Sequence, residues 1–361
     1  MLRTVGVEEE FLLARPSTLD LASAGDAVVA AASERSDGQF DHELKREQAE
    51  LGTGAHRSMD DLAEDLEARR GELAEAARRR GVRLLASGTS PLDDSVTTTA
   101  EDRYQRMTDV FGRVARTQLT CGMHVHVAVG SPAEGVAVLD RLRDRLAVLL
   151  ALSANSPFVG GEDTGYASYR TVLWGQWPTS GVADPFGDVE GYERARAALL
   201  SSGAALDDGM IYFDARLSAR YPTVEIRVAD VCVESGDAVV IAALARAMVD
   251  AAAAEQAAGA ASPVTRSELL RAATWRAARV GVEEDLVDVR TAGLVAAWDL
   301  VGEVVEWAGP ALARNGDGDR VAAGLARIRD RGTGARIQRD AHAAGGLVGL
   351  ADAVTVAVAS G

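Results

Sequence analysis

Three segments of this chain share one pattern, and that pattern restricts the fold more than any other feature. They are TVGVEEEFLL (residues 4–13), CGMHVHVAV (121–129) and TVEIRVAD (223–230). Side chains on a strand alternate between its two faces. In the first segment Val5, Val7, Glu9 and Phe11 take one face, and Glu8 and Glu10 the other. In the second, Met123, Val125, Val127 and Val129 oppose His124 and His126. In the third, Val224, Ile226 and Val228 oppose Glu225 and Arg227. Each strand thus has an apolar face for a core and a polar face bearing two functional groups at i and i+2. If the strands adjoin, the six polar groups converge. EQAELGT (residues 47–53) adds Glu50, with Glu47 or Gln48 nearby.

The rest of the chain supplies helices to cover such a sheet. Helical patterns run over Ala24–Ala32, from Ser58 to about Arg80, over Glu101–Val114, over Val136–Ser153 and over Ala238–Ala261. Ser58 and Asp61 resemble a capping box, and Leu62, Leu66 and Leu73 follow at helical spacing. Phe40–Leu51 reads as extended, and Val82–Gly88 as a short strand. The segments at 155–170 and 174–187 are loop-rich and hold Trp174 and Trp177, which suits a pocket wall or lid; both rings read as packing. After residue 236 the pattern is nearly all helix, interrupted at Asn315–Gly318 and Arg331–Gly334. The expected class is α+β: a mostly antiparallel sheet with helices on one face, in a single domain over 1–361, sheet-rich to about 235 and helical from 236.

Charge and composition exclude several functions. The formal net charge is −16, which opposes nucleic-acid or anionic-membrane partners. Ala238–Ala261 is interrupted by Arg246, Asp250 and Glu255, so it reads as a buried helix and not a membrane span. Two cysteines, Cys121 and Cys232, make no disulfide framework, and Cys121 reads as a small core residue. The first residues show no export signal, and a cytoplasmic location is expected. Lys45 is the only lysine, so no Walker-type phosphate loop exists. Neither a Gly-x-Gly-x-x-Gly between strand and helix nor a Gly-x-Ser-x-Gly elbow is present.

Taken singly, Glu-x-Glu is a solvated strand face, His-x-His a structural pair and Glu-x-Arg a surface ion pair. Together, on strands with apolar backs, they describe a site. Several carboxylates on one face cannot all ionise without a cation, because each raises the others' pKa. Mg²⁺ or Mn²⁺ suits such oxygen ligands, and an arginine beside them suits a phosphoryl group. His-x-His also occurs in metal-dependent amide hydrolases, but only His342 follows the pair and no lysine does. A hydrolase is therefore the runner-up, with a nucleotide- or amino-acid-binding protein carrying a vestigial site as a third reading. Glu9 is left on the apolar face, where an arginine would pair it.

VGVEEEFLL, EQAELGT, CGMHVHV, YRTVLWGQWPTSG and YPTVEIRVAD, in this order, resemble the glutamate–cysteine ligase superfamily, and most its bacterial carboxylate–amine ligase branch. The likeness spans roughly Val5–Asp230, with weaker similarity at Trp275–Glu283 and Gly332–Arg339. It implies a glutamine-synthetase-like fold, with an antiparallel sheet lining a funnel-shaped active site. It implies ATP-dependent joining of a carboxylate, such as the γ-carboxylate of glutamate, to an amine such as cysteine, through an acyl phosphate. By the same resemblance Glu8, Glu10, Glu50, His124 and Glu225 fall on metal ligands. Arg227 falls on the arginine that stabilises the transferring phosphoryl group, and Glu8 and Glu225 join it as catalytic residues. Arg170, in the candidate lid, is expected to clamp a carboxylate or phosphate. The implied cofactors are ATP and Mg²⁺, with Mn²⁺ compatible. The implied partners are small-molecule substrates, with a homodimer left open.

Overall fold

The structure is a computed structural model that describes residues 2–34, 36, 38–92 and 95–358. In chain order its strands are β1 (Val5–Ala14), β2 (Gln39–Asp41), β3 (Gln48–Gly52), β4 (Arg83–Leu85), β5 (Gly122–Ala128), β6 (Phe158–Val159), β7 (Glu162–Asp163), β8 (Ala215–Leu217), β9 (Thr223–Asp230), β10 (Leu286–Asp288) and β11 (Gly293–Val295). The helices of the first half are α1 (Gly25–Ser33), α2 (Met59–Arg79), α3 (Asp102–Phe111), α4 (Arg113–Thr117), α5 (Pro132–Leu142), α6 (Leu146–Ser153) and α7 (Tyr169–Trp174). Those of the second half are α8 (Val189–Ser201), α9 (Ser235–Ala257), α10 (Ser267–Val280), α11 (Ala297–Asn315), α12 (Gly318–Arg331) and α13 (Gly334–Val354).

Seven strands form one sheet in the order β2-β3-β1-β5-β9-β8, with β4 pairing the end of β1. Every pairing in it is antiparallel, so the class is α+β as expected. The three patterned segments are its centre: β1 pairs β5, and β5 pairs β9. Their apolar faces, with Val5, Val7, Phe11, Met123, Val125, Val127, Val224 and Ile226, are buried in one core.

Helix α9 covers that core. It contacts β1 and β5 on one side and α11 and α12 on the other. A helix packed on all sides must be apolar all round, and Asp237–Val249 is continuously buried. Its one internal arginine, Arg246, pairs with Asp317 and donates to the Arg57 carbonyl. Among the described residues no helix is long and apolar enough to cross a membrane.

Local departures from the sequence reading have local causes. The helix expected over Val136–Ser153 is two helices, α5 and α6, joined by a 3₁₀ turn at Arg143–Arg145. Arg143 turns away there, its Nε donating to the Ala183 carbonyl at 2.7 Å. The helix expected over Glu101–Val114 breaks at Gly112, whose φ of +59° suits glycine. Phe40–Leu51 is extended only at its ends, because Lys45 is drawn inward by Thr98 Oγ1 and the Arg116 carbonyl, each 2.9 Å from Nζ. The β10–β11 hairpin lies in the region read as helical; three residues per strand are too few to show a period. Ser58 caps α2 by accepting from the Asp60 and Asp61 amides at 3.1 and 3.3 Å.

Candidate active site

Strand register assembles the site. Glu8 lies opposite His124, Glu10 opposite Glu50, and His126 opposite Glu225. The polar residues of four adjacent strands thereby share one face. They line a cavity of about 570 Å³, together with Glu43, Gln48, Tyr212, Arg216 and Arg227. Glu9 points the other way and is fully buried, bound in bidentate fashion by Arg70 of α2 at 2.6 and 2.7 Å.

Strand β9 carries a bulge opposite His124: Val125 pairs with Ile226, yet Met123 pairs with Ala229. The extra residue shifts the parity of the strand, so that Asp230, opposite Gly122, joins the face of Glu225 and Arg227. Asp230 is fully buried. Its carboxylate accepts from the Asn155 amide, Ser156 Oγ and Ser168 Oγ at 2.8, 2.7 and 2.8 Å. It therefore ties the start of α7 to the sheet. The bulge is not visible in a period-two reading, and Asp230 was passed over for that reason.

The carboxylates fall into two groups. Oxygen atoms of Glu10, Glu43 and Glu50 lie within 4.8 Å of one another, as do ligand atoms of Glu8, His126 and Glu225. In the first group burial, then Glu43, pushes the Glu10 carboxyl up to about 8. Burial and Glu43 also raise Glu50 well above the carboxylate range. In the second, contacts with His124 and His126 overcome burial and hold Glu8 well below that range. Glu225 is held low against burial by Arg227 and Arg216. Arg216 grips it with two bonds of 2.9 and 3.1 Å, and Arg227 bonds its Oε1. Arg216 and Glu43 were both missed in the sequence. Arg216 lies in the three-residue β8 and Glu43 in the connection between β2 and β3, where alternation has no length to show itself.

The donor set fits a divalent cation. Burial and Arg227 push His124 down to about 4, so its imidazole is neutral near pH 7. Its Nδ1 lies 3.3 Å from Glu8 Oε2, and its buried Nε2 has no hydrogen-bond partner. His126 likewise uses Nδ1 on Thr223 Oγ1 at 3.1 Å and leaves a buried Nε2 unpartnered, 3.3 Å from Glu8 Oε2. The unpartnered Nε2 of His124 and a crowd of oxygen ligands are what Mg²⁺ or Mn²⁺ would satisfy.

Arg170 does not line the cavity itself. It is buried behind the cavity, donating to the Arg227 carbonyl at 3.3 Å and lying 3.9 Å from Asp230. A Cβ at Gly122 would sit 2.3 Å from its Nη2, so the close approach requires glycine. The candidate lid around it is a packed wall. Trp177 is 2% exposed, and Trp174 packs against Tyr212 with the rings tilted and their centroids 4.6 Å apart.

The sequence model of glutamate-cysteine ligase family 2 matches residues 4–352. A Frankia alni protein provisionally named glutamate–cysteine ligase 2-2 is 49% identical over 361 residues, covering 96% of this chain and 94% of its own. A Streptomyces coelicolor protein, provisionally named glutamate–cysteine ligase 2, is 45% identical over 341 residues, covering 94% of each chain. Among solved structures, the glutamate–cysteine ligase of Francisella tularensis, in complex with AMP, superposes with a TM-score of 0.69 at 13% identity, over 98% of this chain and 88% of that one. A bifunctional glutathione synthetase from Pasteurella multocida gives 0.65 at 16% identity, over 97% of this chain and 51% of that one. At such identities these two structures establish the shared fold.

Proposed function

This chain belongs to glutamate–cysteine ligase family 2, and from that premise we propose that it is an ATP-dependent carboxylate–amine ligase acting through an acyl phosphate, as one catalytic domain. The observation that carries the reading is the register of β3, β1, β5 and β9, which sets Glu50, Glu10, Glu8, His124, His126 and Glu225 on one cavity face beside Arg227.

In this reading a carboxylate oxygen, that of glutamate γ being the expected case, attacks the γ-phosphorus of ATP. The bond from that phosphorus to the β,γ-bridging oxygen breaks, and ADP leaves. The amine nitrogen then attacks the acyl carbon, phosphate departs, and the nitrogen loses a proton. Divalent cations, held by Glu10, Glu43 and Glu50 and by Glu8, His124, His126 and Glu225, would neutralise the phosphate charge. Arg227 presents planar donors to the charge that spreads over the phosphoryl oxygens. Its pairing with Glu225 fixes the guanidinium beforehand, and Arg216 steadies Glu225 from the other side. The packed wall of Trp174, Trp177 and Tyr212 limits water, which would hydrolyse an acyl phosphate.

Sustained turnover of ATP to ADP should require a divalent cation, a carboxylate and an amine, and mass spectrometry should show the amide. An amino-acid and amine panel that yields no ADP in any pairing would defeat the reading. Amide cleavage without ATP would replace it with a hydrolase.

A further inference from the structure

Among the described residues two tyrosines are more than nine-tenths buried, and the fold treats their hydroxyls differently. Tyr192 Oη is settled: it accepts from the Leu217 amide at 3.2 Å and donates to the Leu217 carbonyl at 3.5 Å. Tyr212, 8% exposed, lines the cavity of the candidate site. Its amide donates to Thr179 Oγ1 at 3.2 Å, but its Oη bonds to no described residue. That oxygen is not sealed within the protein as Trp177 Nε1 is, and the surface it keeps opens on the cavity. Buried hydroxyls rarely go without a partner.

The ring that carries this oxygen is held from two sides. Trp174 and Trp177 pack against it, with centroids 4.6 and 5.5 Å away. The Arg227 guanidinium carbon lies 5.9 Å from its centroid, so hydroxyl and guanidinium open on the same part of the cavity. Burial pushes the phenol up to about 12, against the pull of Arg103 and Arg227, so it is neutral near pH 7. A neutral phenol has one proton to donate. Arg103 is already engaged by Asp207, through bonds of 2.8 and 3.1 Å. Arg227 gives Nη1 to Glu225, and its Nη2 bonds to no described residue. An anion that takes Nη2 can be met by Tyr212 Oη as well.

We propose that Tyr212 is a catalytic residue, its Oη donating a hydrogen bond to the anionic oxygen that Arg227 holds. The identity of that anion rests on the ligase reading: it is either the γ-phosphoryl group or the carboxylate that receives it. In the step itself the carboxylate oxygen bonds to phosphorus and the bond to the β,γ-bridging oxygen breaks. Tyr212 keeps its proton throughout. A donor fixed beforehand by two tryptophans costs no reorganisation as charge spreads over the phosphoryl oxygens.

Tyr212→Phe and Tyr192→Phe, each in the full chain, test the assignment. A hydroxyl bonded within the fold costs stability when it is removed, and one kept for a ligand does not. Tyr192→Phe should therefore lower Tm by a few degrees, and Tyr212→Phe should leave it unchanged. Calorimetric titrations with Mg²⁺ and ADP, with Mg²⁺ and the β,γ-imido analogue of ATP, and with glutamate on top of that analogue identify the anion. A loss of affinity for the analogue but not for ADP, roughly tenfold or more, assigns the bond to the γ-phosphoryl group. A like loss for glutamate alone assigns it to the carboxylate. Where ADP is released, kcat should fall roughly 10–10²-fold, less than on removal of Arg227, because the phenol brings no charge. Unchanged affinities with an unchanged kcat overturn the proposal, and so does a Tm loss like that of Tyr192→Phe. Equal weakening of ADP overturns it too, because the hydroxyl then meets another part of the nucleotide. A chain that never releases ADP, yet loses analogue binding in Tyr212→Phe, keeps the role of the hydroxyl and loses the ligase reading. A working ligase whose turnover and affinities survive in Tyr212→Phe does the reverse.

Discussion

Glu9 and Glu10 are adjacent in one strand, yet they live in opposite electrostatic regimes. Glu9 is sealed in the core, and Arg70 meets both of its oxygens. Arg70 also donates to the carbonyls of Cys232 and Val233, at 2.9 and 3.0 Å, so the pair joins sheet, α2 and the chain entering α9. Glu10 has no such partner. It shares its cavity with Glu43 and Glu50, and its carboxylate accepts from the Gly122 amide at 2.7 Å. The same side chain thus does structural work on one face, where its charge is matched within the fold. On the other it waits for a charge the fold does not supply. Unmatched charge marks the Glu10, Glu43 and Glu50 end of the cavity face, whereas Arg216 and Arg227 match Glu225 at the other.

The largest effect should come from unmatching the matched pair. Arg70→Ala leaves the Glu9 carboxylate buried and alone, and removal of one partner from such a pair costs about 3–5 kcal/mol. A denaturation series should show that loss. Replacing both residues together by apolar ones, as Glu9→Leu with Arg70→Met, should recover most of it. A double variant as unstable as the single would mean that Arg70 acts through its bonds to the Cys232 and Val233 carbonyls.

On the other face the expectation reverses, and activity moves while stability holds. Arg227→Ala should lower kcat roughly 10²–10³-fold, the range for removing one donor from developing transition-state charge. Divalent-cation affinity should survive, because the ligands remain. A full rate in that variant would break the assignment of Arg227. Glu43→Gln should have a smaller effect, weakening divalent-cation affinity roughly tenfold or more by titration. At the same time it should stabilise the metal-free protein, because it removes one of three crowded carboxylates. Lower stability in the metal-free variant would show that Glu43 is already matched.

The sequence carried this contrast wherever a strand was long enough to alternate. Ten residues in β1, seven in β5 and eight in β9 placed Glu8, Glu10, His124, His126, Glu225 and Arg227 on one face and Glu9 on the other. The need of Glu9 for an arginine was legible too, but not the identity of Arg70, which depends on how α2 packs. Glu43 lies in an irregular connection, Arg216 in a three-residue strand, and Asp230 beyond a bulge. None of the three belongs to a period that a sequence can show. Arg170 is a different case. Its motif was visible, but its direction is set by the space at Gly122, a tertiary fact.

The smallest predicted effect probes the unmatched face without any substitution. Glu10 titrates near pH 8 in the folded chain, far above an ordinary carboxyl, because of burial first and Glu43 second. Between about pH 4.5 and 8 the folded state therefore holds a proton that the unfolded chain has released. Stability falls with pH wherever the folded state binds more protons. Glu50, raised in the same direction, adds to the slope. The metal-free protein should lose a few degrees of Tm as pH rises through this window. Saturating Mg²⁺ should flatten the slope by binding the ionised form, so that metal raises Tm more at pH 8 than at pH 6. A metal-free Tm that is flat or rising across the window would mean that Glu10, Glu43 and Glu50 are neutralised within the fold, and the distinction between the two faces of β1 would fail at its simplest test.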